Sequence, residues 1–77
     1  MSHEPPKSRL IRRREVEFLT GLSCSSIYAR LTPDPRRPRL FDPTFPRPVK
    51  IGERAVAWDN AQVLEWIEAR KNKSHGN

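Results

Sequence analysis

The sequence EVEFLTGLSCSSIYARL, residues 15–31, decides how the rest of the chain is interpreted. In its first half, Val16 and Leu19 are three residues apart. In its second half, Ile27 and Leu31 are four residues apart, so each pair lies on one face of a helix. The stretch therefore predicts two short amphipathic helices in succession.

The residues between these two helices are suited to a tight turn. Gly21 can take a positive φ and end the first helix, whose apolar set Phe18 and Leu22 extend. The Ser23 hydroxyl can accept a hydrogen bond from the free N–H groups that begin the second helix. Two helices joined by a short turn that contains Gly are the pattern of a helix-turn-helix.

The second helix, predicted over residues 23–31, has one surface of small side chains. At about 100° per residue, Cys24 lies inward with Ile27 and Leu31. The outward side carries small residues and hydroxyls between two larger flanking side chains: Ser25, Ser26 and Ala29, flanked by Tyr28 and Arg30. Such a surface lets a helix lie deep in the major groove of DNA, where hydroxyls meet base edges or phosphates. A solvated helical hairpin is the alternative that this local pattern leaves open.

Composition and charge favour a polyanion as the partner. The chain has 77 residues, enough for one small domain, with a formal net charge of +6 and a sequence pI of about 10.5. From Lys7 to Arg54 there are twelve Lys and Arg residues and five Asp and Glu residues. Beyond Arg54, three basic residues are balanced by three acidic residues. Such one-sided charge attracts a polyanion, for which nucleic acid is the obvious candidate and a membrane surface the competitor.

Other classes of function find little support in the residues. Cys24 is the only cysteine, and His3 and His75 lie in the termini, so no metal cluster or intramolecular disulfide is expected. Cys24 is interpreted as a small buried residue. No nucleophile–base pair, membrane-spanning run or N-terminal signal segment is recognisable. We therefore expect a cytoplasmic protein that is not an enzyme and has no cofactor, no membrane partner and no small-molecule substrate.

The chain is expected to form one domain over residues 9–71. Residues 1–8, with two prolines, predict a disordered arm, and residues 72–77 predict a disordered polar tail. Leu10 and Ile11 are expected to pack over the core as an extended entry to the first helix.

A proline-rich loop is predicted over residues 32–44, where four prolines exclude a regular helix or a central strand. We expect it to lie on the surface and to be mobile at least in part. Its basic residues are either solvated or a second set of phosphate contacts: Arg36, Arg37 and Arg39.

A β-hairpin is predicted over residues 45–58. Each predicted strand has two apolar residues separated by one other residue. They are Val49 and Ile51 around Lys50 in the first strand, and Val56 and Trp58 around Ala57 in the second. Gly52 and Glu53 fit a two-residue type II′ turn, which would put Val49 opposite Val56 and turn one apolar face toward the helices. Lys50 and Arg54 would then lie near an exposed tip. A hairpin of this kind after a helix-turn-helix is a wing, which usually touches the DNA backbone or the minor groove.

The last helix is predicted to begin at Asp59, an acidic N-cap, with Gln62 three residues later. Val63 and Ile67 follow at helical spacing, and Trp58 and Trp66 are interpreted as core residues. The predicted fold class is thus mostly α with a small β-hairpin, a winged helix-turn-helix of order α-α-β-β-α in a single domain.

Several ordered motifs resemble those of the AlpA family, small prophage-encoded regulators and excisionase-like proteins with a MerR-related winged helix-turn-helix. They are RLIR at 9–12, LTGLSxSxIY at 19–28, FPxPVKIG at 45–52, RAVAW at 54–58 and VxxWI at 63–67. Relative to the family pattern, residues 32–44 form an insertion.

The resemblance implies sequence-specific binding of double-stranded DNA by a bacterial or phage-encoded protein associated with the nucleoid. Residues 23–31 match the recognition helix and residues 49–58 the wing, with Arg54 at its tip. Together with the charge pattern, this selects nine candidate DNA-binding residues: Arg13, Arg14, Ser23, Ser25, Ser26, Tyr28, Arg30, Lys50 and Arg54. Because one reading helix binds modestly, self-association on adjacent DNA repeats is also expected.

Three functions remain open at this point. The first is a transcription regulator, and the second is an architectural excisionase or a phage DNA-packaging or replication factor on the same scaffold. The third is an adaptor whose basic loop binds an acidic protein. The first two share a DNA interface, and the residues alone do not separate them.

Overall fold

The computed structural model describes residues 9–75, and the two segments outside this range, 1–8 and 76–77, include the whole predicted arm. Three helices, three short strands and a 3₁₀ turn follow one another: β1 (Leu10–Ile11), α1 (Arg13–Thr20), α2 (Cys24–Leu31), a 3₁₀ helix (Pro38–Leu40), β2 (Val49–Lys50), β3 (Val56–Asp59) and α3 (Asn60–His75). The predicted winged helix-turn-helix is confirmed, with one strand more than expected.

The turn between α1 and α2 has the predicted chemistry. Gly21 ends α1 with φ of 75°, and its N–H donates to the carbonyl of Glu17 at 2.8 Å. Ser23 caps α2, because its Oγ accepts from the N–H of Ser26 at 3.2 Å. Among the residues that the structure describes, Gly21 alone has positive φ. The angle between the two helices therefore depends on this one backbone conformation.

The apolar face of α1 is narrower than predicted. Val16 is fully buried and Leu19 packs against the core, but Phe18 is 84% exposed. Two residues advance a helix by about 200°, so Phe18 points almost directly away from the side that Val16 buries. Its assignment to the apolar set was wrong.

The three strands form one antiparallel sheet in the order β1-β3-β2. Ile11 of β1 pairs with Trp58 of β3, and the pairing continues as the N–H of Asn60 donates to the carbonyl of Arg9 at 2.7 Å. The predicted extended entry is thus a third strand. Two residues are too few to show the alternation by which strands are recognised.

The predicted register of the hairpin was wrong by one residue. Val49 pairs with Ala57 and Lys50 with Val56, and the N–H of Ile51 donates to the carbonyl of Ala55 at 2.9 Å. The connection therefore has three residues, 52–54, instead of two. Gly52 lacks the positive φ that a type II′ turn requires at its first central position.

This shift moves the apolar residues of the two strands to opposite faces of the sheet. Val56 and Trp58 pack against the core, as predicted. Val49 and Ile51, which were expected beside them, are 47% and 46% exposed. The helices are therefore covered by β3, while β2 presents its apolar side chains outward.

The core is a single cluster drawn from every regular element except β2 and the 3₁₀ helix: Ile11, Val16, Ile27, Leu31, Phe45, Trp58 and Val63. Trp58 is fully buried, and its indole N–H donates to the carbonyl of Pro46 at 3.1 Å. Trp66 is half-buried and meets Phe45 edge-on, with 4.9 Å between ring centroids. Both tryptophans therefore serve packing, as predicted.

The last helix continues beyond its predicted end. Asp59 caps it by accepting from the N–H of Ala61 at 2.9 Å, as expected. The helix runs to His75, four residues into the segment 72–77 that was predicted as a disordered tail. Basic residues near a helix C-terminus interact favourably with its dipole, and Lys71 also reaches Glu68 at 3.5 Å.

Replacing Gly21 by Ala should destabilise the fold by about 1–2 kcal/mol, because a Cβ is strained at positive φ even in open space. The matched control is Gly52→Ala, whose Cβ would meet Ala55 at an ordinary 3.7 Å and whose φ is not positive. It should change stability by less than about 1 kcal/mol. Urea unfolding of the two variants compares them, and equal losses would contradict the assigned turn.

Candidate nucleic-acid interface

The outward surface of α2 is made of small residues, as predicted. Ser25 is exposed, and Ser26 and Ala29 are partly exposed; we call these three the small-residue surface. Tyr28 beside it is 42% exposed. Cys24, predicted to be buried, keeps intermediate exposure. The three residues of the small-residue surface carry no long side chain, and Tyr28 projects at its edge, so this part of the helix can approach another surface closely.

The two serines at the start of α2 have different roles. Ser23 Oγ accepts from the N–H of Ser26 and donates to Ser26 Oγ at 3.1 Å. Its hydroxyl is therefore used by the cap. The Ser26 hydroxyl accepts from Ser23 and keeps its own hydrogen for another acceptor.

Four arginines meet in one cleft between α1, α2 and the wing. We call it the arginine cleft, and its lining residues are Arg12, Arg13, Arg14, Tyr28, Arg54 and Val56. Three candidate residues from separate parts of the sequence, Arg13, Tyr28 and Arg54, are thus brought together with Arg14. Arg12 was not selected from the sequence, although the run of three arginines was a signal for it.

Most of the charge in the arginine cleft is available to a ligand. Arg13 donates from Nε to Glu17 at 2.9 Å. Its pKa is raised above its ordinary value by the nearby Cys24, by the hydrogen bond and charge of Glu17, and by Tyr28. Arg12, Arg14 and Arg54 form no ion pair with any residue in the described range 9–75.

Lys50 does not line this cleft, but its strand pairing places it on the same face of the sheet as a residue that does. Cross-strand partners project from the same face of a sheet, and Lys50 is paired with Val56, which lines the cleft. Its side chain is exposed. The wing therefore adds Lys50 and Arg54 to one cationic surface.

Arg30, the remaining candidate, is held on the other flank of α2. Its guanidinium carbon lies 5.7 Å from the ring centroid of Trp66, and that of Arg70 lies 5.2 Å from the same ring. Arg30 Nε is buried and has no hydrogen-bond partner among the described residues. The structure thus places Arg30 against α3 and not in the arginine cleft.

The proline-rich loop is fastened to α2 and α3 at its second half. Asp42 donates from its N–H to the carbonyl of Arg30 at 3.0 Å, and its Oδ2 accepts from the indole of Trp66 at 3.2 Å. Its Oδ1 accepts from the hydroxyl and the N–H of Thr44 at 2.6 and 2.9 Å. Sequence reasoning missed Asp42, although Asp is common in turns because its side chain accepts from the backbone N–H two residues on, as it does here from Thr44.

Partial burial raises the pKa of Asp42, but the hydrogen bonds from Thr44 and Trp66 and the charge of Arg70 outweigh it. The net result is a pKa below the ordinary value. Because the folded chain prefers the carboxylate, Asp42 contributes stability that is present above its ordinary pKa and is lost as the pH falls through the lowered value.

Two other features are absent from residues 9–75. These residues contain no group of three or more His, Cys, Asp or Glu side chains placed to hold a metal ion. Within the same range, no helix is both long enough and apolar enough to cross a membrane.

A Gly turn between α1 and α2, a capped second helix and a short antiparallel wing before α3 define a winged helix-turn-helix protein with a basic face. The sequence profile of the family described as "Prophage CP4-57 regulatory protein (AlpA)" matches residues 9–71, and the chain belongs to that family. The predicted resemblance is confirmed.

A curated relative supports the same family. The chain is 36% identical over 62 residues to the "DNA-binding transcriptional activator AlpA" of Escherichia coli (strain K12). The match covers 80% of this chain and 84% of the relative. No solved structure matches the chain.

Asp42→Asn should lower the stability at pH 7 by about 1 kcal/mol, since one carboxylate oxygen becomes a donor and the charge is lost. The difference from the unaltered chain should begin to shrink as the pH falls below about 4, where the unfolded carboxylate becomes protonated, and should shrink further as the pH passes the lowered pKa of the folded Asp42. Thermal unfolding from pH 2 to 7 measures this. Glu53→Gln, in the exposed hairpin loop, controls for the change in net charge, and a difference that stays constant with pH would contradict the assignment.

Proposed function

We propose that this protein binds double-stranded DNA in a sequence-specific manner and regulates transcription for a phage or another mobile element. In this proposal α2 enters the major groove, and the wing contacts the backbone or the minor groove next to it. Family membership and the name of the Escherichia coli relative support the general function. The proposal places the protein on DNA in the bacterial cytoplasm.

One observation carries the proposal: the small-residue surface of α2 lies next to the arginine cleft. Tyr28 borders both, and Arg54 enters the cleft from the wing. Duplex recognition needs cations to fix the protein on the phosphates and an element slim enough to reach base edges. Both requirements are met on one side of the molecule.

The candidate residues then divide by role. Ser25 and Ser26 would contact base edges, since their hydroxyls serve as donors or acceptors. Four cations would contact phosphates: Arg13, Arg14, Lys50 and Arg54. Ser23 would act through the cap by holding the start of α2, and Tyr28 would contact the backbone at the rim of the groove.

Arg30 would contribute chiefly by holding α2 against Trp66. A direct contact with DNA from Arg30 would require its guanidinium to leave the ring. Its substitution should therefore affect the position of the whole helix and not one base pair alone.

The number of contacts sets the dependence on salt. The four cations named above would give a slope of roughly −3.6 for log affinity against log salt, and the six to eight phosphate contacts expected per chain, which require further cations, would give roughly −5 to −7. A single reading helix of this size gives modest affinity, so we propose that several copies bind adjacent repeats. Footprinting that showed one short isolated site, occupied without cooperativity, would contradict this arrangement.

A recombination role would use the same interface. An excisionase or a DNA-packaging or replication factor on this scaffold also binds duplex DNA, and the described contacts favour neither over a transcription regulator. A reporter assay run beside an excision assay distinguishes them. The third hypothesis, an adaptor whose basic loop binds an acidic protein, is less well supported. It gives no role to the small-residue surface or to the arginine cleft next to it.

Arg54→Ala should weaken binding to all duplexes roughly five- to tenfold near 0.1 M salt and flatten the salt slope by about one unit, because one phosphate contact is lost. Fluorescence anisotropy with a selected duplex and a random-sequence duplex measures both quantities. Lys71→Ala is the matched control, since it removes one positive charge from α3 outside the cleft. Equal behaviour of the two variants would show that the wing assignment is wrong.

Ser25→Ala should change the preference among sites and leave the salt slope unaltered, because a contact with a base edge releases no counterion. The expected loss is about 1 kcal/mol at one base pair, or roughly fivefold. Selection of duplexes from a random library by both chains compares their preferences. Identical selected sequences would exclude Ser25 as a base contact.

A further inference from the structure

We propose that the first half of the proline-rich loop is a second DNA-contacting element, in which Arg36 and Arg37 hold phosphates along the side of α2 away from the arginine cleft. The inference rests on the proposed function, because it concerns the same bound duplex. It adds a contact surface that neither the helix nor the wing provides.

The loop runs beside the surface of α2 that is proposed to face DNA. Two adjoining hollows are each lined by Ser25 and Ala29 from α2 and by Arg37 and Leu40 from the loop. Arg36 lines one of them as well. The small-residue surface is therefore bordered by arginines on both sides.

The backbone of the loop is arranged by specific hydrogen bonds. Arg37 donates from its N–H to the carbonyl of Asp34 at 2.9 Å, and Leu40 donates to the carbonyl of Arg37 at 3.1 Å. The N–H of Arg36 donates to Asp34 Oδ1 at 2.9 Å. The expected mobile loop thus contains a hydrogen-bonded turn followed by the 3₁₀ helix.

The prolines strengthen this arrangement. Pro33, Pro35 and Pro38 each fix φ, which reduces the number of conformations open to the free loop. A loop that is already ordered gives up less entropy when it binds. Its two arginines can therefore contribute net affinity.

The charge on these arginines is exposed. The Arg36 side chain is 89% exposed, and its only ion pair among the described residues is a long one of 3.7 Å to Asp34. Arg37 is exposed and has no ion pair within the same range. Neither side chain supports the core, so phosphate contact is the role that their position favours.

Arg39 provides an internal comparison. It belongs to the same loop but lines the hollow on the far side, with Trp66 and Arg70. Three arginines within four residues thus divide into two that border the small-residue surface and one that does not. A general effect of loop charge would involve all three equally.

The double variant R36A/R37A tests the inference. With a duplex selected from a random library by the unaltered chain, its affinity should fall at least tenfold near 0.1 M salt, and the salt slope should flatten by about two units. Hydroxyl-radical footprinting should lose protection on one stretch of backbone beside the major groove. Arg39→Ala should change the affinity less than about twofold, and R36K/R37K should retain most of it because the charges remain.

Three other outcomes would contradict the inference, and they can be told apart. If the double variant binds as tightly as the unaltered chain while Arg54→Ala weakens binding, the loop makes no contact and the proposed function stands. If the double variant binds more tightly, the loop obstructs α2 and the inference is wrong. If the unaltered chain selects no duplex from the library and binds no random-sequence duplex at low salt, the proposed function fails and the inference fails with it.

Discussion

The burial of Trp58 is the interaction on which the rest of the structure depends. Its ring lies at the centre of the sheet, on β3, opposite Ile11 of β1, and its indole N–H is satisfied by the carbonyl of Pro46. Val63, in the first turns of α3, is buried in the same cluster. Removing such a side chain costs about 3–5 kcal/mol, a large part of the 5–15 kcal/mol that stabilises a typical domain. A chain of this size has few other groups that could replace it.

The same residue also determines where the wing can be. Because Trp58 faces the core, Val56 faces the same way, and Arg54 is carried to the end of the arginine cleft. The three-residue connection, 52–54, places Arg54 directly before the residues of the second wing strand that are hydrogen-bonded to the first. The burial of the Trp58 ring in the core thus determines where the backbone of Arg54 lies on the surface.

Local signals predicted the parts of the fold that depend on local chemistry. Gly21, Ser23 and Asp59 end or begin helices through contacts within a few residues, and all three behave as their types imply. The register of the hairpin depends on the conformation of one Gly, and the alternating pattern of Val49 and Ile51 fits two registers. Pairing of β1 depends on a partner nearly fifty positions away in sequence, and two residues carry no signal for it.

In the candidate site, too, the features set by local sequence could be predicted, and those set by tertiary packing could not. The small-residue surface follows from helical periodicity alone, and the helix geometry supplies it. Which arginines gather beside it depends on tertiary packing: Arg54 and the run 12–14 come together, whereas Arg30 is drawn to Trp66 across the molecule. Helical periodicity predicts the direction in which the Cβ of a residue points. It does not predict which neighbouring group a long side chain such as that of Arg30 will contact.

Sequence preference would arise only in part from direct contacts between α2 and the bases. Ser25, Ser26 and Ala29 can make few contacts with bases, and each is short, so little discrimination can come from α2 by itself. The depth and angle at which α2 would lie in a groove would be set by the groups that hold it: the Gly21 turn, the Arg30–Trp66 contact and the cations on either side. A groove of different width would separate those cations from their phosphates even with the same bases at its centre. The flanking contacts would then select DNA shape, and the small-residue surface would add the direct readout that its few hydroxyls allow.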